Sequence, residues 1–383
     1  MRGLHAAAWV LLMMLAGCAS GPGYYPAPEG KTQSVPNAPL PPQSVDNKAP
    51  AGAPGGSRWV AVPWSELPGV DTDALFEAWN AWLKSCEKPG PVFAPLCPEI
   101  RRLSIGGEEA QRQWVLQRLQ PYRVESLAGS APGLLTAYYE PEFEARRVAS
   151  AEFEVPVHQI PAGLSPGSAW FTRQEIDTLA AAKTALKGRE IAFLADPVQA
   201  LVMQIQGSGR LRLTEPDGSQ RLVRLAFAGH NGQPYKSIGR WLVDQGEIRD
   251  ASWPGISTWM LRNPQRVREL LWQNPRVVFF KEEPLNDFDS GFGPRGAQGV
   301  PLTPGRSIAV DPASIPYGTP VWLSSVGPQV SLNKLVLAQD TGSAIRGAVR
   351  ADYFAGWGAA AGELAGRLKQ PLRLWVLWPK TGG

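Results

Sequence analysis

The chain has 383 residues, of which 44% are hydrophobic and 19% are charged, and its formal net charge is +4 at pH 7. This composition excludes an intrinsically disordered chain and predicts a large buried core that divides into two lobes. The Lys and Arg residues form no basic block, so nucleic acid is not an expected partner.

The N-terminus has the features of a secretory signal peptide. In MRGLHAAAWVLLMMLAGCAS, Arg2 is followed by an apolar run of 12 residues from Ala6 to Gly17 and by small residues before Cys18. The run is too short to span a bilayer. Residues 1–17 are therefore expected to be removed on export.

The four residues Leu15-Ala16-Gly17-Cys18 resemble a bacterial lipobox. This resemblance implies that Cys18 is lipidated and anchors the chain to a membrane, and Ala19 after it implies the periplasmic side of the outer membrane. The alternative is an ordinary signal peptide with an incidental cysteine. The following residues, 21–57, contain 9 Pro and 6 Gly and show no apolar periodicity, so residues 18–57 are expected to form a disordered tether after the lipidated cysteine.

Two helices are predicted after the tether. Leu75, Trp79 and Trp82 have the spacing of one buried helical stripe, and a second helix is predicted in EEAQRQWVLQRLQPY. Cys86 and Cys97 are the remaining cysteines, and in an oxidising compartment they are predicted to form a disulfide, with two buried free thiols as the alternative. The three histidines are scattered along the chain, so neither a metal site nor a cofactor is predicted.

The middle of the chain, residues 136–281, mixes strands with short helices. GLLTAYYEPEFEARRV reads as a strand broken at Pro141, and its alternating Glu140, Glu142 and Glu144 are expected on a solvated face. A helix is predicted to begin at a capping box of Thr172 and Glu175. The segment LVMQIQGSGRLRLTEPDGSQRLVRLAFAG is interpreted as two alternating strands. Two further helices, in KSIGRWLVDQGEI and NPQRVRELLWQNP, precede a buried strand in RVVFFK.

Beyond residue 282 the pattern is dominated by strands. Short apolar segments separated by Gly and Pro, with one brief helix in GAAAGELAGRL, favour a small closed barrel; they are RSIAVD, GTPVWLSSV, NKLVLAQD and PLRLWVLW.

Six stretches in sequence order together resemble the membrane-bound lytic murein transglycosylase A family of cell-wall enzymes. They are LLTAYYEPEFEA, MQIQGSGRLRL, AGHNGQPYKSIGRWLVDQGEI, NPRVVFFK, VPLTPGRSIAVDPASIPYGTPVWL and AQDTGSAIRGAVRADYFAGWG. The resemblance implies a mostly β (β / α+β) fold with short helices, in which a double-psi β-barrel domain carries a second, smaller inserted β domain. The implied bounds are 58–135 plus 282–380 for the barrel and 136–281 for the insert, with the substrate groove between them.

The resemblance also implies cleavage of the β-1,4 bond between N-acetylmuramic acid and N-acetylglucosamine in peptidoglycan, with formation of 1,6-anhydromuramic acid ends. Because the attacking hydroxyl belongs to the sugar, one carboxyl group suffices as acid and then base. The family pattern assigns this role to Asp352, with Asp340 in support. Asp311 is the third aspartate of the motif and is expected to be a turn residue because Pro312 follows it. This chain has Arg350-Ala351 where some related barrels have His-Phe before the catalytic Asp.

Seven residues are candidates for glycan binding because they carry hydroxyl, amide or aromatic groups within the matching stretches. They are Thr136, Tyr138, Gln206, Ser208, Tyr235, Ser237 and Trp357.

Three alternative functions remain open at this point. A muramidase that uses water would need a second carboxylate, and an expansin-like lipoprotein would bind peptidoglycan without cleaving it. A metal site formed by the three aspartates is the third alternative. The expected partners are peptidoglycan glycan strands, the outer membrane through the lipid anchor, and proteins of cell-wall synthesis or division.

Overall fold

The structure is a computed structural model that describes Pro50, residues 52–165 and residues 167–380. The predictions for residues 1–17, for Cys18 and for most of the tether lie outside the described residues. The strands are β1 (Arg58–Ala61), β2 (Leu119–Glu125), β3 (Gly133–Glu140), β4 (Glu142–Arg146), β5 (Val155–His158), β6 (Glu190–Leu194), β7 (Ser208–Thr214), β8 (Gln220–His230), β9 (Val278–Pro284), β10 (Ser307–Val310), β11 (Pro320–Val326), β12 (Ser331–Asp340), β13 (Arg350–Trp357) and β14 (Lys369–Pro379).

The α-helices are short. They are α1 (Leu75–Ser85), α2 (Cys97–Arg102), α3 (Glu108–Arg118), α4 (Arg173–Thr178), α5 (Ala180–Leu186), α6 (Pro197–Gln206), α7 (Ile238–Asp244), α8 (Trp253–Arg262), α9 (Val267–Trp272), α10 (Asp287–Ser290) and α11 (Gly358–Arg367). No helix in the described part of the chain combines the length and the apolarity that a bilayer crossing requires.

The first sheet closes into a barrel. Its strand order is β1-β2-β14-β11-β12-β10-β13-β3, and β3 also pairs with β14. The long strand β14 makes this possible, because its first residues pair with β3 and its later residues pair with β11 and β2. The closed part of the sheet consists of β14, β11, β12, β10, β13 and β3, and closure leaves these six strands without a free edge. The predicted fold class is confirmed.

The barrel core continues into the N-terminal helices. Trp79 and Trp82 of α1 are 1% and 0% exposed, so the predicted buried stripe is confirmed. Their rings pack with Trp114 of α3 at centroid distances of 5.3–5.7 Å. Burial of each such ring contributes about 2–3 kcal/mol. A disulfide between Cys86 and Cys97, with the Cα atoms 5.6 Å apart, joins the end of α1 to the start of α2.

The second sheet has the order β5-β6-β4-β7-β8-β9. The capping box of Thr172 and Glu175 at α4 is confirmed. The predicted strand over residues 201–206 is wrong, because these residues belong to α6. This helix begins at the N-cap Asp196, whose side chain accepts a hydrogen bond from the Val198 N–H, and it ends at Gly207 with φ +83°. Pro197 at the first helical position and a glycine after the last are helix signals that the apolar alternation obscured.

The chain passes from the first sheet to the second after Glu140, and it leaves the second sheet after Pro284. β3 runs to Glu140 within the first sheet, and β9 runs to Pro284 within the second, whereas the predicted insert spans 136–281. These strand ends differ by a few residues from the predicted limits of the insert, and the division into two domains stays a prediction.

A buried ionic cluster joins the two sheets, and it corrects the expectation that Glu140 is solvated. Glu140 is 0% exposed. It accepts hydrogen bonds from Nε of Arg210 at 2.7 Å and from Nε of Arg224 at 2.6 Å. Both guanidinium groups also donate to the carbonyl of Phe292. Pro141 separates β3 from β4, so Glu140 does not share an open strand face with Glu144, whose side chain is 61% exposed.

Candidate active site

A cleft of about 710 Å³ lies between the two sheets. Its walls come from the ends of β3, β12 and β13 in the barrel, from the α6–β7 junction and β8 in the second sheet, and from the connecting segment 294–297. The lining residues are Tyr138, Gln204, Ile205, Gln206, Gly207, Ser208, Phe227, His230, Tyr235, Asn274, Arg276, Val278, Pro294, Arg295, Gly296, Ala297, Ala309, Pro312, Asp340, Thr341, Gly342, Ser343, Ile345, Arg346 and Asp352. The cleft is large enough for several sugar units.

Asp352 is placed in this cleft by the barrel's strand pairing. It stands opposite Thr136 in the parallel pair of β13 with β3, and opposite Ala309 in the antiparallel pair with β10. The Thr136 hydroxyl donates a hydrogen bond to Oδ1 of Asp352. Arg350, two residues before Asp352 on the same strand face, donates from its guanidinium to the Thr136 hydroxyl at 2.8 Å. No hydrogen bond from the described residues reaches Oδ2 of Asp352.

The direction of this chain of hydrogen bonds follows from the donors available. An arginine can only donate, so the Thr136 oxygen accepts from Arg350 and its single proton points to Asp352. Burial raises the pKa of Asp352, while the Thr136 hydrogen bond and the positive charge of Arg350 lower it. The net result is a pKa of Asp352 above the usual value for an aspartate.

Asp340 ends β12 at the same cleft. Its Oδ1 accepts a hydrogen bond from the Ala297 N–H at 2.9 Å, and its Oδ2 accepts one from the Tyr138 hydroxyl at 2.9 Å. Burial raises the pKa of Asp340 to about 6, and the nearby charge of Asp352 adds to the rise, although these hydrogen bonds and one from the Thr341 N–H oppose it. Burial also raises the pKa of Tyr138 well above its usual value, so the phenol remains a donor.

Gly296 allows the connecting segment to approach Asp340. A Cβ atom on this residue would lie 2.5 Å from the carbonyl oxygen of Gln339 and 3.1 Å from the Asp340 Cβ. Any other residue would therefore push the segment away from the end of β12. The glycine places the Ala297 N–H within reach of the Asp340 carboxylate.

Asp311 has the structure of a turn residue, and it lies outside the lining of the cleft. Its Oδ1 accepts a hydrogen bond from the Ala313 N–H at 3.1 Å, and its Oδ2 accepts one from the Gly347 N–H at 2.9 Å. It thus ties the loop between β12 and β13 to the turn after β10. Among the described residues, no group of three or more His, Cys, Asp or Glu side chains is placed to hold a metal ion.

Four of the seven predicted glycan-binding residues line the cleft. Tyr138 comes from the barrel, whereas Gln206, Ser208 and Tyr235 come from the second sheet and its neighbouring segments. Gln206 also joins the two walls, because its Oε1 accepts a hydrogen bond from the Tyr139 N–H at 3.0 Å.

The other three predicted residues have structural contacts instead. Thr136 contacts Asp352 but is not a lining residue. Ser237 is the N-cap of α7, where its hydroxyl accepts a hydrogen bond from the Arg240 N–H. The ring of Trp357 lies under the Arg210 guanidinium, whose carbon is 3.9 Å from the ring centroid. Trp357 therefore belongs to the Glu140 cluster.

Comparison with known proteins places this arrangement in a family. A profile described as the MltA specific insert domain matches residues 134–281, and one described as the 3D domain matches residues 306–378. The membrane-bound lytic murein transglycosylase A of Vibrio cholerae is 32% identical over 292 residues, which cover 70% of this chain and 74% of that protein. The chain belongs to the membrane-bound lytic murein transglycosylase A family. The Escherichia coli K12 relative is 35% identical over 262 residues, which cover 64% of this chain and only 66% of the relative.

Solved structures of lytic transglycosylases have a similar fold. The lytic transglycosylase LtgG of Burkholderia pseudomallei is 40% identical, with a TM-score of 0.59 over 87% of this chain and 100% of that chain. The structure of E. coli MltA with bound chitohexaose is 25% identical, with a TM-score of 0.68 over 87% of this chain and 97% of that chain.

Three further residues of the site are not among those that the family motif singles out. Arg350 departs from the His-Phe pattern of some related barrels, and its guanidinium contacts Thr136. Ala297 contributes only a backbone N–H to Asp340, which its side chain could not indicate. Arg276 lines the cleft as a cation, and its position in NPRVVFFK, just before a buried strand, was the available signal.

Proposed function

We propose that the protein is a lytic transglycosylase that cleaves the β-1,4 bond between N-acetylmuramic acid and N-acetylglucosamine and leaves 1,6-anhydromuramic acid ends. The names of its relatives support this activity, and the bound chitohexaose of E. coli MltA supports a glycan strand as the ligand of the cleft. The observation that carries the proposal is the hydrogen bonding of the two carboxyl oxygens of Asp352. One of its oxygens is held by Thr136, and the other has no hydrogen bond from the described residues.

Asp352 acts as a single acid and base. In its protonated form, which burial favours, Oδ2 donates a proton to the glycosidic oxygen as the bond to the anomeric carbon breaks. The resulting carboxylate is stabilised by the Thr136 hydroxyl and by the charge of Arg350. It then takes the proton of the muramoyl 6-hydroxyl as that oxygen bonds to the anomeric carbon. The proton on Asp352 is restored, and no water is consumed.

Asp340 positions the site and does not serve as a second catalytic carboxylate. Both of its oxygens already accept hydrogen bonds, from Ala297 and from Tyr138. A hydrolytic mechanism needs a carboxylate that is free to activate water or to attack the sugar. The engaged state of Asp340 therefore favours attack by the sugar's own hydroxyl.

The chain is further proposed to be anchored through a lipid on Cys18 at the periplasmic side of the outer membrane. The word membrane-bound in the names of the relatives supports an association with a membrane. The segment 18–57 would let the barrel domain (58–135 plus 282–380) and the inserted domain (136–281) reach the peptidoglycan.

The test is mass spectrometry of muropeptides released from purified sacculi in water enriched in heavy oxygen. Wild type is expected to release ends that are one water lighter than reducing ends and that contain no label, and Asp352→Asn, folded by circular dichroism, is expected to release almost none. Labelled reducing ends would show a hydrolase. Binding of sacculi without any release by wild type would show an expansin-like binding protein.

A further inference from the structure

The second-sheet wall of the cleft carries a cation without a counter-charge. Arg276 lies just before β9 and lines the cleft. Its Nε donates a hydrogen bond to the carbonyl of Gln233 at 2.7 Å, and its own carbonyl accepts one from Arg173. These bonds fix the backbone of Arg276 and the Nε end of its guanidinium group. Within the described residues, no carboxylate lies within salt-bridge distance of it and no hydrogen bond uses its terminal nitrogens.

The surroundings of Arg276 do not neutralise it. Burial lowers its pKa, but an arginine remains charged at neutral pH. Burial, followed by the charge of Arg276, lowers the pKa of the neighbouring His230, which favours the neutral imidazole. Arg295 and Arg346 also line the cleft, and Asp340 and Asp352 are the only carboxyl groups among its described lining residues. Asp311, outside the lining, lies 3.8 Å from Arg346. The side chains that line the cleft therefore carry a net positive charge even when both aspartates are ionised.

A fixed guanidinium whose two terminal nitrogens are both free to donate matches a carboxylate. N-acetylglucosamine carries no charge, but the muramoyl unit carries a lactyl carboxyl group that is either free or linked to a peptide with carboxylates of its own. We infer that Arg276 binds a carboxylate of the muramoyl unit or of its peptide, and so selects murein over neutral glycans. This inference rests on the proposed function and names the substrate class of the same cleft. Phe227, which is 51% exposed on the same wall, offers an apolar surface for the adjoining methyl groups.

Calorimetric binding of three ligands to the Asp352→Asn protein tests the inference without cleavage. The ligands are neutral chitohexaose, peptide-bearing glycan strands, and the same strands after an amidase has removed the peptides. Adding Arg276→Gln is expected to weaken binding of carboxylate-bearing strands about 10-fold or more, as expected for a charge-assisted hydrogen bond, and to leave chitohexaose unchanged. Loss confined to peptide-bearing strands places the carboxylate in the peptide, and loss confined to the peptide-free strands places it on the lactyl group. Loss for both strands shows that Arg276 binds whichever carboxylate the muramoyl unit presents.

Two controls make the outcome specific. Arg262→Gln removes the same charge from an exposed position at the end of α8 and is expected to change nothing. Arg276→Lys keeps the charge without the planar fork and is expected to be intermediate. Added salt should weaken binding of the charged strands, but not of chitohexaose, to the Asp352→Asn protein with Arg276 intact.

Equal effects of Arg276→Gln on all three ligands, no effect on any, an equal loss with Arg262→Gln, or no dependence on salt would each overturn the inference. The proposed function is decided separately, by the muropeptides that wild type releases.

Discussion

Replacement of Glu140 by glutamine is expected to destabilise the protein strongly. The side chain is fully buried and is the only carboxylate of the described residues that contacts Arg210 and Arg224. Glutamine keeps the shape but removes the negative charge, and it turns an N–H₂ group toward guanidinium donors. Breaking a buried ion pair by removing one partner costs about 3–5 kcal/mol, because the remaining charge stays buried without compensation.

The free energy of unfolding, measured in urea by tryptophan fluorescence, checks this value. Glu144→Gln is the matched control, because Glu144 is 61% exposed and lies 3.7 Å from the exposed Arg212. Exposed pairs contribute about 0–1 kcal/mol, so the control should change stability very little. If Glu140→Gln and Glu144→Gln differ by less than about 1 kcal/mol, the ionic cluster does not hold the two sheets together.

The remaining predictions concern the acid, the disulfide and the anchor. Arg350→Met should move the alkaline limb of the pH profile of kcat/KM to higher pH. The reason is that loss of the cation raises the pKa of Asp352, so that the acid stays protonated to a higher pH. An unchanged limb would contradict the hydrogen-bonded chain from Arg350 through Thr136 to Asp352. Serine at both Cys86 and Cys97 should lower the free energy of unfolding by about 3 kcal/mol, as loss of a short-loop crosslink predicts, and reduction of wild type should reproduce the loss in thermal unfolding. Cys18→Ala should shift the protein from the membrane to the soluble fraction with its activity retained, and a folded but inactive soluble product would argue against a separate tether.

The barrel could be predicted from sequence because its strands are short, apolar and separated by Gly and Pro. The runs around Ile308, Val321, Leu335 and Leu374 all lie in the fully buried core. The same kind of local pattern predicts a strand wrongly at α6, because the apolar residues of LVMQIQ fit a buried helix as well as a strand. Short apolar runs do not decide between the two structures, whereas the Asp-Pro start and the glycine end do.

The partners of the charged residues could not be predicted, because they are far apart in the chain. Thr136 and Asp352 are 216 residues apart and meet only through the parallel pairing of β3 with β13. Glu140 and Arg224 are 84 residues apart and lie on different sheets. Alternation along one strand gives the face of a side chain, but it does not give what covers that face. Alternation alone therefore does not distinguish the fully buried Glu140 carboxylate from a solvated one.

The two cleft aspartates are both half-buried, and their hydrogen bonds rather than their burial separate the roles proposed for them. A general acid needs one oxygen that is free to face the substrate, since a proton held between two protein groups has no path to the sugar. Asp340 has donors on both oxygens, which fix the Tyr138 ring and the segment through Ala297. Within the described residues, Asp352 accepts a hydrogen bond on one oxygen only, from the Thr136 hydroxyl, and the Arg350 guanidinium donates to that hydroxyl. Among the described residues, the asymmetry leaves Asp352 with the one carboxyl oxygen of the pair that has no donor, as the acid and base role proposed for it requires.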